Sequence, residues 1–300
     1  MNCLNSSRPM KKYSSLPISL LCTVLAGSIA CLTASAASLL NDGFDNGSIG
    51  PQNLPDSAQW YGSETDNATA SSGSMTLDTN GGTTSGMVTG YFTDTGSYSL
   101  AAGETLTLSV TFSVAGVDGS TGYFRLGLLN SVSDAKRIST QGEGSNNSQF
   151  SNYTGYAMFT NLATFNNNIG LYKRDNANTG LLNAAAAYTS LGSSGSPFQL
   201  ANSTTYTGTF SLENTGTSII ATQSFSGGSL SGITHTLEDS TDIFTDFNTV
   251  AFAIQSSAAN SITFDNISVT TSVPEPAQSA LVLSGILGLS ILALRRRRRA

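Results

Sequence analysis

Apolar and polar residues alternate with period two along several stretches of the chain. Leu106, Leu108, Val110, Phe112 and Val114 are apolar, and Thr105, Thr107, Ser109, Thr111 and Ser113 between them are polar. Successive side chains of a strand point to opposite faces, so this spacing predicts a half-buried strand whose five apolar residues face a core. Tyr206, Gly208, Phe210 and Leu212 repeat the pattern. Strand-like runs also occupy Gly122 to Leu129, Tyr153 to Thr160, Ile169 to Arg174, Ser218 to Ser226 and Thr249 to Gln255. Turn signals such as Gly81-Gly82, Asp118-Gly119, Asn214-Thr215-Gly216 and Gly227-Gly228 separate the runs. Ile262 and Phe264 share one parity, but the next apolar pair is Ile267 and Val269, which predicts a β-bulge at Asp265-Asn266. Ser133 to Asn152 is polar, and the alanines of Leu181 to Tyr188 are compatible with a short helix; both segments read as loops on one rim. No repeat of about 20 to 50 residues emerges, which argues against a propeller or β-helix. The pattern predicts an all-β antiparallel sandwich.

Two apolar stretches are too long for strands. Arg8, Lys11 and Lys12 precede an uncharged stretch from Leu16 to Leu32, followed by Ala34-Ser35-Ala36. A basic start, an apolar middle and small residues before the cut make residues 1–36 a secretory signal peptide, cleaved between Ala36 and Ala37. Ala277 to Leu294 is also uncharged and runs directly into Arg295, Arg296, Arg297, Arg298 and Arg299. As a helix rising about 1.5 Å per residue, it would span roughly 27 Å, close to a hydrocarbon core of about 30 Å. The arginines would hold the terminus in the cytoplasm and place the region from 37 to 272 outside the inner membrane.

Immediately before that helix stand Val273, Pro274, Glu275, Pro276 and Ala277. The prolines remove backbone donors and keep the segment extended, as an enzyme that reads a strand would require. Pro-Glu-Pro, an apolar helix and a terminal arginine cluster, in that order, resemble the PEP-CTERM sorting signal of Gram-negative bacteria over residues 273–300. The resemblance implies that an exosortase recognises Pro274, Glu275 and Pro276 and removes the tail. The chain would pass through the secretory translocon and be anchored transiently in the inner membrane. It would then reach the cell surface or an extracellular matrix, where such proteins accompany exopolysaccharide.

Composition narrows the roles open to the middle region, roughly 236 residues from Ala37 to Ser272. It carries 18 acidic residues against five basic ones, Arg125, Lys136, Arg137, Lys173 and Arg174, for a net charge of −13. Such a surface repels nucleic acid and suits neutral polysaccharide or divalent cations. All three cysteines, Cys3, Cys22 and Cys31, lie in the signal peptide, so no disulfide staples the rest. With His235 the only histidine, a zinc site of nitrogen and sulfur ligands is excluded, and a metal, if bound, would be calcium.

Leu39 to Asp45 and Ile262 to Val269 resemble the first and last strands of concanavalin A-like jelly rolls, a fold in which those strands pair. The resemblance implies a jelly-roll-like sandwich and would bring Asp42, Asp45 and Asp265 together as oxygen donors for calcium. Some relatives of that fold are hydrolases with paired carboxylates on one strand. Here Glu64, Glu104, Glu143, Glu213 and Glu238 show no such spacing, Glu238-Asp239 with Asp242 and Asp246 reads as a solvated loop, and His235 as a surface or strand-end residue. No catalytic residue is assigned. Trp60 and Tyr61 are candidates for stacking on sugar rings, with Tyr91-Phe92 and Tyr153 to Tyr156 as further aromatics. The expectation is a non-enzymatic surface or matrix protein with an adhesive or weak glycan-binding role and no cofactor. A secreted carbohydrate-active enzyme and a matrix filler without a ligand are the alternatives.

Overall fold

A computed structural model describes residues 36–79, 84–117, 122–162, 169–194 and 198–272. Most of the expected signal peptide, including Ala34, and the whole sorting tail, with Pro274, Glu275, Pro276 and Arg295 to Arg299, lie outside the described residues. Ala37, expected to follow the cleavage point, is the first residue of β1 (Ala37–Asp42).

The described residues form two large antiparallel sheets. The first joins β14 (Leu230–Asp239), β13 (Ile219–Gly227), β12 (Tyr206–Asn214), β7 (Thr105–Ala115), β17 (Ser261–Ser272), β4 (Ser74–Asp78) and β3 (Ala68–Ser71) in that spatial order, with β1 also paired to β17. The second runs β11 (Tyr188–Ser194), β10 (Ile169–Arg174), β9 (Thr154–Asn161), β8 (Tyr123–Asn130), β16 (Thr249–Ile254), β5 (Gly86–Tyr91) and β2 (Trp60–Gly62). A two-stranded ribbon of β6 (Tyr98–Ser99) and β15 (Asp246–Phe247) is hydrogen-bonded into neither sheet. The terminal strands β1 and β17 pair antiparallel, Leu40 opposite Val269.

The five apolar residues of β7 are all buried and belong to the core between the sheets. Rings meet across that core. Phe112 of β7 lies 5.7 Å from Phe124 of β8, and Phe264 of β17 lies 4.6 Å from Phe252 of β16. The register of β17 against β7 shifts between Phe264 and Asn266, so the extra residue Asp265 keeps both Ile262-Phe264 and Ile267-Val269 inside.

The two sheets differ on their outer faces. That of the eight-stranded sheet is a grid of hydroxyls, in which Thr270, Thr107, Ser211, Thr222 and Thr236 form one row of direct neighbours across five strands. Ser268, Ser109, Thr209, Ser224 and Thr234 form the next. Hydroxyls bond across strands within the rows, as in Thr209 with Ser224 at 2.6 Å and Thr222 with Thr236 at 3.0 Å.

The outer face of the seven-stranded sheet is covered instead. The segments 131–153 and 175–187 fold over it and enclose a second apolar cluster that includes Leu129, Phe150, Tyr153, Leu181, Leu182 and Ala187. Both segments contain short 3₁₀ turns, among them Ala185–Ala187 where the alanines fall. Buried Arg174 pins them to the sheet. Its Nε donates to Tyr153 O, its Nη1 to Gly180 O, and its Nη2 to Phe150 O and Asn178 O, all between 2.8 and 3.0 Å. Burial lowers the pKa of this guanidinium, yet the ring of carbonyls replaces the water it has lost.

Candidate functional site

The cover over the second sheet leaves one end open. Strands β8, β9 and β10 are adjacent there, and their register places Arg125 opposite Phe159 and Phe159 opposite Gly170, all on the outer face. Period-two alternation sets this orientation, because Phe124 and Leu126 of β8 and Ile169 and Leu171 of β10 belong to the core between the sheets. Residues at odd positions of β8 and β9 and at even positions of β10 therefore face outward.

These side chains make a continuous stack. The guanidinium carbon of Arg125 lies 3.8 Å from the ring centre of Tyr123 and 4.1 Å from that of Phe159, a double cation–π contact. Phe159 stacks in turn on Tyr172, with centroids 4.3 Å apart and planes at 26°. Gly170 permits this, since a Cβ there would collide with the Tyr172 ring. The stack forms one wall of a cleft of about 310 Å³, also lined by Thr160, Asn161, Ala185 and Ser193. Tyr123, Arg125 and Tyr172 are half-buried and Ser193 is exposed, so the cleft opens to solvent.

The charge in this cleft is unbalanced. Arg125 Nη1 donates to Leu182 O, whereas Nε is buried without an acceptor, and among the described residues no carboxylate pairs with the guanidinium. Burial lowers the Arg125 pKa from its ordinary value, although an arginine stays protonated. No Asp or Glu lines the cleft among the described residues. The cleft presents the half-buried rings of Tyr123 and Tyr172, the Ser193 hydroxyl, the Asn161 amide and a cation.

The expected stacking residues lie elsewhere. Trp60 is fully buried in the core, and its indole Nε1 donates to Asp42 Oδ2 at 2.8 Å. Tyr61 is 8% exposed and packs in the covered cluster, 6.0 Å from Tyr91. Neither presents a ring face to a ligand. The seven-stranded sheet is buried on both faces, so an aromatic pair on β2 points into two cores instead of one core and solvent. Tyr91, Phe92, Tyr153 and Tyr156 are buried as well. Burial pushes the Tyr91 phenol up to about 12, while its oxygen accepts from the Ile138 amide.

The structure brings Asp42 and Asp45 to one cleft, and Asp265 is not among the residues that line it. The carboxylate of Asp42 is occupied by the amides of Phe44 and Ala58 and by Trp60, and among the described residues no three His, Cys, Asp or Glu side chains are grouped to hold a metal. Asp42 and Asp45 do line a second, polar cleft of about 420 Å³ with Asn41, Asn53, Asp56 and Asn266. Asp239 is also not in a solvated loop. It ends β14, is 5% exposed and pairs with Lys173 at 3.0 Å, while Tyr156 donates to its Oδ2 at 2.8 Å. His235 is buried on the edge strand β14, opposite Gln223, and burial lowers its pKa.

Comparison with known proteins gives a likeness of structure alone. No protein-family model matches the chain, and no curated protein sequence matches it. Among solved structures, the carbohydrate recognition domain of Emp46p in its metal-free form is similar at 16% identity. The match covers 70% of this chain and 87% of that domain with a TM-score of 0.46. The exoplasmic/lumenal domain of VIP36 bound to Ca²⁺ and Man3GlcNAc is similar at 12% identity, over 77% of this chain and 86% of that one, with a TM-score of 0.47. The seed lectin of Lotus tetragonolobus is similar at 11% identity, over 80% of this chain and 100% of that one, with a TM-score of 0.46.

Proposed function

We propose that this chain is an exported, non-enzymatic surface or matrix protein whose sandwich binds glycan in the cleft formed by Tyr123, Arg125, Phe159 and Tyr172. The observation that carries this reading is the stack itself, an aromatic and cationic wall open to solvent and flanked by Thr160, Asn161 and Ser193. Sugar rings have apolar faces that pack on aromatic planes and hydroxyl rims that need polar partners, and this wall supplies both. Export and sorting rest on the sequence. Residues 1–36 direct secretion, 37–272 form the exported region, and 273–300 act as a PEP-CTERM signal handed to an exosortase. Extracellular polysaccharide is then the ligand available to the mature protein.

The test is titration of the purified full-length chain with oligosaccharides prepared from exported polysaccharides, followed by calorimetry. Replacing Tyr172 with Ala should weaken binding by about tenfold or more, because a stacking ring contributes on the order of 1–2 kcal/mol. The melting temperature should change little, since Tyr172 is only partly buried. Equal affinity of the variant and the parent would remove the cleft from the function.

A further inference from the structure

We infer that the sugar held in this cleft carries a carboxylate, as a hexuronate does, and that Arg125 is the residue that selects it. The inference rests on the glycan-binding reading and adds the chemistry of the ligand. Arginine offers five N–H donors in a planar fork; in Arg125 Nε is buried, Nη1 donates to Leu182 O, and no protein acceptor among the described residues takes Nη2. The guanidinium lies over two rings, those of Tyr123 and Phe159. These contacts hold it without satisfying its donors. Lys173 and Arg137 are treated differently, each paired with an aspartate at 3.0 and 3.2 Å, and Arg174 is saturated by carbonyls. Arg125 alone among these combines aromatic contacts with open donors beside a cleft.

Removing a cation from water without a partner costs free energy that a bound anion would return. A neutral sugar would gain from the open part of the half-buried Tyr172 ring but would leave that cost in place. The eighteen acidic residues of the exported region oppose dense polyanions, so the fitting ligand is a glycan in which uronate residues are spaced along a largely neutral chain.

The experiment uses the full-length chain and two named probes, a β-1,4-linked glucose hexamer and the same hexamer with one residue oxidised at C6 to glucuronate. Binding is measured by calorimetry at low and at physiological salt. The oxidised hexamer should bind about 10 to 100 times more tightly at low salt, with the advantage shrinking as salt rises, because a charge-assisted hydrogen bond is the stronger kind. Arg125→Gln should reduce the oxidised hexamer to the affinity of the neutral one. Arg125→Lys should recover only part of the difference, since an ammonium keeps the charge but not the planar fork of donors. Equal binding of the two hexamers by the parent chain would overturn the carboxylate inference and leave the glycan-binding reading standing. Failure of both hexamers, together with the polysaccharide fragments above, would overturn both. The ratio in the parent chain decides the matter even if the Arg125 variants do not fold.

Discussion

At the scale of single residues, polar groups tie parts of this fold together, and Asp42 is the clearest case. It lies at the end of β1, is 2% exposed, and its two oxygens accept from the amides of Phe44 and Ala58 and from the indole of Trp60. One carboxylate thus fixes the chain leaving β1, the chain entering β2 and the largest ring in the core. Asp42→Ala would leave three buried donors unmatched, each worth about 1–3 kcal/mol, so a loss of about 3 kcal/mol or more in chemical unfolding is expected. Asp42→Asn tests the chemistry further. Its amide nitrogen would face N–H donors whichever way the group turned, so it should destabilise nearly as much despite its size. Full stability of the asparagine variant would show that water, not the carboxylate, satisfies those donors.

At the scale of strands, the alternation of β7 makes a prediction that can be read in both directions. Val110 is 1% exposed between Gly208 and Ile267, and its neighbour Ser109 faces outward between Thr209 and Ser268. Val110→Asp should unfold the protein, because an unpaired buried charge costs several kcal/mol against a total stability of about 5–15 kcal/mol. Ser109→Asp should shift the melting temperature by no more than a few degrees. The opposite ranking would place the whole strand in the wrong register. The same contrast explains how much of the molecule was legible in its sequence. The eight-stranded sheet has one wet face, so β7, β12 and β17 alternate cleanly, and even the bulge at Asp265 could be read from the change of parity. The seven-stranded sheet has two buried faces. Strands such as β16 and β5 are buried at every position, and their period is erased. Trp60 and Tyr61 were therefore indistinguishable from exposed rings. The candidate cleft was invisible for another reason. Tyr123, Phe159 and Tyr172 lie on three separate strands and meet only through the pairing of β8, β9 and β10. The partial signal available was an arginine two residues after a tyrosine, on the same strand face, in a region with only five basic residues.

At the scale of the whole molecule, the question is how the sandwich reaches its place of work, and the tail from Val273 onward makes the sharpest prediction. Changing Pro274, Glu275 and Pro276 to alanine should trap the full-length chain in the inner membrane. The apolar stretch from Ala277 to Leu294 and the five arginines behind it are untouched in that variant, so insertion and orientation should survive. The two prolines and the one carboxylate of the motif would be lost, and with them the features that a sorting enzyme is expected to read. Replacing Arg295 to Arg299 should act differently. Without positive charge to hold the terminus in the cytoplasm, the apolar stretch should lose its stop signal and its orientation. The two variants thus separate processing from anchoring. An epitope fits in the turn after β12, where Gly216 and Thr217 are exposed and a short insertion leaves the strand pairs intact. Immunoblots of inner-membrane, outer-membrane and medium fractions should then show the triple-alanine chain at unprocessed size in the first fraction alone. Its arrival at the surface in normal size and amount would reduce Pro-Glu-Pro to a spacer and remove the sorting assignment, while the cleft and its chemistry would remain to be tested on their own.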